Sequence, residues 1–166
     1  LVAVRNGLNG TVAHVGVPRG KEVPDARDRE RRTEAAHDGG RDRVLGTGPF
    51  AEEEFPKLGK RDWTLLVQDM DKWDMDVRAL LDHFRFLPAW RVDDVMISFA
   101  TPGGSVGPHI DQYDVFLLQA QGRRRWQIDD DPAAPRHFRP DVELKLLQQF
   151  TPSHEWVLEP GDILYL

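Results

Sequence analysis

Residues 96 to 116 constrain the fold most: two short apolar runs flank Pro102-Gly103-Gly104-Ser105-Val106-Gly107-Pro108. Prolines and glycines at this density break a helical hydrogen-bond ladder, so the segment reads as strand, loop, strand. Val95-Met96-Ile97-Ser98-Phe99 is predicted to be a largely buried strand. The second run opens with His109-Ile110-Asp111 and continues to Gln119. Side chains alternate along a strand, so His109 and Asp111 are expected to face the same way, with Cα atoms roughly 6.6 Å apart. An imidazole and a carboxylate at that spacing can hold one ion. They would supply two of the three ligands of a 2-His-1-carboxylate site on non-haem Fe(II). The same spacing also arises by chance, and most strand histidines pack or hydrogen-bond instead.

The Gly/Pro loop is not a phosphate cradle, because it lacks a Gly-Lys-Ser/Thr ending and no dinucleotide fingerprint surrounds it. Its glycines are expected to let the backbone turn tightly. Gly103-Gly104-Ser105-Val106-Gly107 matches the G-x-S-x-G pattern, but a nucleophile elbow leads into a helix and here a β-favouring run follows. Ser105 is therefore not expected to be a nucleophile. The chain has no cysteine, which excludes disulfides and thiolate metal sites and agrees with a cytoplasmic enzyme. A formal charge of −6 argues against direct nucleic-acid binding and suits a basic protein partner. No window approaches a membrane span, so no membrane association is expected.

Every aromatic residue lies at or after Phe50, and residues 21 to 43 are dense in Arg, Asp and Glu. The ordered core is expected to start near Phe50. The segment before it reads as poorly structured, as a solvated helix over Ala26 to Ala36, or as sequence outside the native frame. Trp63 to Val67 is β-favouring, and Trp73, Val77, Leu80, Leu81 and Phe84 recur at helical spacing, with Asp74 as cap and Pro88 as stop. His109 to Gln119 and Arg123 to Ile128 are predicted to form a hairpin turning at Gln121-Gly122. Arg123 and Arg125 then share one face and Arg124 takes the other. Three arginines in a row fit a basic solvent face, whereas a buried arginine near a metal fits an anchor that grips a carboxylate with two hydrogen bonds. Val142 to Phe150 reads as a short helix, Trp156-Val157-Leu158 as a strand, Glu159 to Asp162 as a turn, and Ile163 to Leu166 as a strand in which the sequence stops. That stop predicts a fragment of a longer domain.

Several of these blocks together carry a resemblance: Val95 to Phe99, Gly107 through Phe116, Gly122-Arg123-Arg124-Arg125-Trp126, and Leu158-Glu159-Pro160-Gly161-Asp162-Ile163-Leu164-Tyr165. The chain from Gly48 to Leu166 resembles the bacterial JmjC-type ribosomal oxygenases of the cupin superfamily. The resemblance implies a mainly β, double-stranded β-helix fold with N-terminal helical decoration, C-terminally incomplete. It divides the chain into residues 1–45, poorly structured or non-homologous, and 46–166, a partial JmjC/cupin domain. It implies a 2-oxoglutarate-dependent hydroxylase acting on an arginine of a large-subunit ribosomal protein, with Fe(II) as metal and 2-oxoglutarate as cosubstrate. By the same resemblance His109 and Asp111 are metal ligands, Arg124 binds the cosubstrate C5 carboxylate, and Ser98 is a further candidate for that pocket. The expected partner is a ribosomal protein, and a homodimer stays open. The family's distal histidine follows the Pro-Gly-Asp-x-Leu-Tyr strand; His137 and His154 lie upstream of it and are expected to be ordinary loop residues. Weak iron retention and little turnover are therefore expected of the chain as it stands. The competing reading is a non-catalytic or degenerate cupin that binds a metal or small molecule. An interaction domain in which His109 and Asp111 only hydrogen-bond is a third.

Overall fold

The structure is a computed structural model that describes residues 2–4, 10–18, 33–38, 43–48, 50–142 and 145–166. Its strands are β1 (Val2–Val4), β2 (Gly10–Pro18), β3 (Thr33–Asp38), β4 (Arg43–Thr47), β5 (Trp63–Val67), β6 (Val95–Ala100), β7 (Gly107–His109), β8 (Tyr113–Gly122), β9 (Arg124–Ile128), β10 (His154–Leu158) and β11 (Ile163–Tyr165). They form two sheets, ordered β10-β9-β1-β7 and β11-β8-β2-β6-β5-β3-β4, with every described pairing antiparallel. This mainly β, two-sheet architecture agrees with the fold class that the resemblance implies. Among the described residues no helix is long and apolar enough to cross a membrane.

Period-two alternation assigns the faces. Val12 of β2, Val115 and Leu117 of β8, Trp126 of β9 and Leu158 of β10 make one buried cluster, so the inner faces of the two sheets meet there. Residues of opposite parity, Ala13, Val15 and Val95, pack outward on Phe84, with Val77, Leu80, Leu81 and Phe116 around them. Burying Leu117 or Val12 contributes about 1.5–3 kcal/mol each on transfer alone.

The segment over this outer face departs from one amphipathic helix. It is a 3-10 turn (Met70–Lys72), a short α1 (Met75–Ala79) and further 3-10 turns (Leu80–Phe84 and Ala89–Arg91). Asp74 caps α1 as expected, its Oδ1 accepting from the amides of Asp76 and Val77 at 2.9 and 3.0 Å. Trp73, placed by spacing on the packed face, is 68% exposed, because the ladder breaks beside it and changes the angle between successive side chains.

Other expectations are corrected as well. The ordered core does not begin near Phe50: β2 runs between β6 and β8, and Val12, Ala13, Val15 and Val17 are buried there. Val, Thr and His in alternation satisfy a central strand without any aromatic residue. The solvated helix over Ala26 to Ala36 lies outside the described residues as far as Arg32, and β3 occupies its end. Strands β8 and β9 are no hairpin. β8 pairs with β2 and β11 while β9 pairs with β1 and β10, since Gly122, at φ 66°, turns the chain out of one sheet and into the other. Across the expected helix over Val142 to Phe150, Glu143 and Leu144 lie outside the described residues, and Leu146 and Leu147 instead form bridges to His109 and Phe138. The turn at Glu159 to Asp162 is as expected, closed by Asp162 N donating to Glu159 O at 2.9 Å.

Candidate metal and anion-binding site

The loop before β7 is stitched to β5. The Thr101 hydroxyl donates to Trp63 O at 3.0 Å and accepts from Trp63 N at 3.1 Å, and Gly104 N donates to Thr101 O at 2.9 Å. Ser105 is buried and its Oγ accepts from Gly107 N at 3.0 Å, a loop-closing role rather than a nucleophile's. The strand expected over His109 to Gln119 is broken: β7 ends at His109 and β8 starts at Tyr113. His109 and Asp111 nevertheless come together, with Nε2 3.5 Å from Oδ1. His109 Nδ1 donates to Gly107 O at 2.9 Å, which leaves the lone pair of the neutral ring on Nε2, on the side of Asp111. Burial opposes charge on this imidazole, but Asp111 outweighs it and the pKa is raised. Burial likewise pushes the Asp111 carboxyl up, yet its bond to His109 and the charge there bring it below the usual value. One imidazole nitrogen and one carboxylate oxygen suit a divalent first-row metal. Among the described residues no group of three or more His, Cys, Asp or Glu is arranged to hold one.

A second feature lies between the sheets. Arg124, on the inner face of β9, is 2% exposed. Its Nη1 donates to Ser98 Oγ at 2.6 Å, and Nη2 to Gly10 O at 2.9 Å and to Ser98 O at 3.4 Å. Its Nε–H has no partner, nor does the indole N–H of Trp126, two residues along the same face. The guanidinium carbon stands 6.0 Å from the Trp126 ring centroid. Burial alone lowers the Arg124 pKa to about 10, so the guanidinium remains charged at neutral pH. Among the described residues no carboxylate is bonded to it. A buried cation with a free donor is a receptor for an anion. Arg123 is exposed, and Arg125, on the outer face, stands 3.5 Å from Glu155.

The sequence reading missed His14 of β2, whose Nε2 is 2.8 Å from Ser98 Oγ. The signal was present in the alternating run Gly10-Thr11-Val12-Ala13-His14-Val15, but the aromatic-poor, charged surroundings outweighed it. Asp111 and His109 both act on its protonation electrostatically, so it stands within electrostatic reach of those two residues as well. His154 pairs with Asp130 at 3.1 Å in the open and stacks on Trp156. His137 offers its backbone carbonyl to Gln148 N. Beside Asp111 opens a cleft of about 260 Å³ whose wall carries Asp129, Asp130, Asp131 and Arg136.

The JmjC domain model matches residues 79–166, more than half of the chain. The chain belongs to the JmjC domain family. The matched JmjC segment contains Ser98, His109, Asp111 and Arg124, while His14 lies outside it. The ribosomal protein uL16 3-hydroxylase of Escherichia coli K12 is 48% identical over 119 residues, which are 72% of this chain and 31% of that protein. An X-ray structure of YcfD from E. coli superposes with a TM-score of 0.73 at 37% identity, covering 92% of this chain and 43% of that one. The structure of YcfD, a ribosomal oxygenase, in complex with cobalt and 2-oxoglutarate gives a TM-score of 0.68 at 37% identity, over 87% of this chain and 38% of that one. This JmjC chain thus spans about a third of the length of the curated relatives it matches.

Proposed function

We propose that this chain carries the metal and cosubstrate site of an Fe(II)- and 2-oxoglutarate-dependent oxygenase that hydroxylates an arginine of a large-subunit ribosomal protein. The observation that carries the reading is Arg124: a buried guanidinium with a free N–H and no bonded carboxylate among the described residues, in a fold whose His109 and Asp111 form a metal-type pair. The relatives point the same way, being a uL16 hydroxylase and a ribosomal oxygenase bound to cobalt and 2-oxoglutarate.

In this reading His109 Nε2 and Asp111 hold the metal, and the Gly107 carbonyl keeps the imidazole in the ligating tautomer. Arg124 takes the distal carboxylate of the ketoacid, and Ser98 orients Arg124. Trp126 and Leu117 line the interior and exclude water, which strengthens the pairing of Arg124 with an anion. When bound, iron and ketoacid supply the oxidising chemistry, in which the ketoacid becomes succinate and carbon dioxide and one atom of oxygen enters a C–H bond. The acidic cleft at Asp129 to Asp131 suits the approach of a cationic side chain to Asp111.

Thermal denaturation with Co(II) and 2-oxoglutarate in large excess tests the site. A ligand of the folded state at one hundred times its Kd is expected to raise Tm by roughly 5–10 °C. His109→Ala should remove the metal-dependent part and Arg124→Met the ketoacid-dependent part. With Fe(II), oxygen and an arginine-containing ribosomal peptide, turnover at this two-ligand site should be slow, and the oxygen that the peptide gains should match the succinate formed. A ketoacid shift that Arg124→Met retains, or succinate formed with no oxygen in the peptide, would overturn the reading.

A further inference from the structure

His14 faces the gap between the sheets and has no task in the function proposed above. Strand β2 sets it opposite Met96 on one side and Leu117 on the other. It shares its face with Val12, a member of the inner cluster, and it meets Trp126 edge-on with ring centroids 6.0 Å apart. Its Nε2 reaches Ser98 Oγ at 2.8 Å, the same oxygen that receives Arg124 Nη1 at 2.6 Å. A guanidinium can only donate, so Ser98 is the acceptor toward Arg124. The Ser98 hydroxyl hydrogen is then free for His14, and Nε2 accepts it from a neutral ring protonated on Nδ1. Burial first, and Arg124 second, hold His14 in that neutral form, with a pKa lowered to about 3. The donor chain therefore runs from Arg124 through Ser98 to His14, from one sheet to the other.

We propose that His14 is a positioning residue of the anion receptor: by taking the Ser98 hydroxyl proton it keeps the Ser98 lone pairs on Arg124, and so holds the free Nε–H of the guanidinium ready for the distal carboxylate of a short dicarboxylate. The inference rests on Arg124 being the anion anchor proposed above. It adds that the strand preceding the matched JmjC segment takes part in cosubstrate binding. Ser98 is 2% exposed, so without His14 its hydroxyl loses its acceptor in a place water does not reach. The hydroxyl would then turn in search of another acceptor, and its lone pairs would leave Arg124.

Binding of 2-oxoglutarate and of succinate to the Co(II)-loaded chain, followed by tryptophan fluorescence and by Tm, tests this. His14→Leu is expected to weaken both dicarboxylates about tenfold while Co(II) alone binds as in the wild type. His14→Gln, whose amide oxygen can stand in for Nε2, should recover most of the loss. His14→Asn, whose amide falls short of Ser98, should not. In a Ser98→Ala background His14→Leu should cost nothing more, because its effect passes through Ser98. Wild-type affinity in both His14→Leu and His14→Asn, a loss that adds fully to that of Ser98→Ala, or a parallel loss of Co(II) binding would each overturn the proposal. If His14→Leu fails to fold, the comparison of Gln with Asn decides alone. The parent reading fails separately: Arg124→Met would then bind dicarboxylate as the wild type does.

Discussion

His109 Nε2 and Asp111 Oδ1 lie 3.5 Å apart across the end of a strand, since β7 stops at His109 and Asp111 belongs to the link before β8. An unbroken strand would have held the two Cα atoms at a fixed spacing with no means of adjustment. The break lets Asp111 close on the imidazole, while the Gly107 carbonyl holds the ring from the other nitrogen. A proton and a metal ion suit the same place between these atoms, so they compete for it.

That competition sets a pH dependence. His109 titrates above its ordinary 6.5: burial pushes the value down, and the bond to Asp111 more than offsets it. Metal binding must release this proton, so Co(II) affinity should rise about tenfold per pH unit below the raised value and level off above it. The metal-free pair behaves oppositely at its upper edge. The stability His109 contributes is complete below 6.5 and is lost as pH rises through the raised folded value; the Asp111 share is complete above 3.8 and is lost as pH falls through the lowered one. The Tm difference between wild type and His109→Gln should therefore be largest between 3.8 and 6.5. Co(II) titrations that do not change across the neutral range would show that His109 is not the ligand.

Gly104 is irreplaceable for a different reason. A Cβ there would fall 2.0 Å from Trp63 O and 2.7 Å from its carbonyl carbon, and backbone in a paired strand cannot step aside. Gly104→Ala is expected to cost at least about 3 kcal/mol, the upper end for overpacking. Gly161, at φ 98° with nothing within 4 Å of a built Cβ, should lose only about 1–2 kcal/mol on the same change. Urea denaturation of the two variants checks the order, and equal losses would show that the loop yields more readily than its contacts to Trp63 imply.

The sequence revealed features whose cause is local. Val95 to Ala100 is a strand because β-branched and apolar residues run between turn formers, and Glu159 to Asp162 turns because Pro and Gly fix the backbone there. Arg124 could be read as opposite in facing to its two arginine neighbours from period two alone. Alternation says which face a residue takes and not which sheet its strand joins, so the separation of β8 from β9 was illegible. His14 was hidden for a related reason. Its importance comes from Ser98 and Arg124, 84 residues away for the first, and only the pairing of β2 with β6 brings them together.

Asp74 offers a local test of the outer layer. Its Oδ1 holds the second and third amides of α1, those of Asp76 and Val77, and α1 and the turn after it carry the packed residues Val77, Leu80 and Leu81. Asp74→Ala should cost about 1 kcal/mol, and Asp74→Asn or Asp74→Ser much less, because both retain a capping oxygen. Tm measured for all three separates a cap from a mere charge effect, which Asn and Ser would lose as fully as Ala.

Asp94 should make the fold less stable as the pH rises from 3.8 to about 6. It precedes β6, accepts from Asp69 N at 2.9 Å, and stands near Asp69, Asp71 and Asp93. Burial raises its pKa from 3.8 to about 6, the neighbouring carboxylates add to the rise, and the Asp69 amide offsets part of it. A raised acid is a penalty on the charged form: absent below 3.8, it grows as pH climbs and is complete above about 6. Asp94→Asn keeps an acceptor for the Asp69 amide and removes the charge. The variant should therefore melt higher than the wild type above pH 6, and the gap should shrink toward zero or reverse below 3.8. A Tm difference that stays constant between these limits would mean that Asp94 is charged at no cost, held by the amide more firmly than burial opposes it.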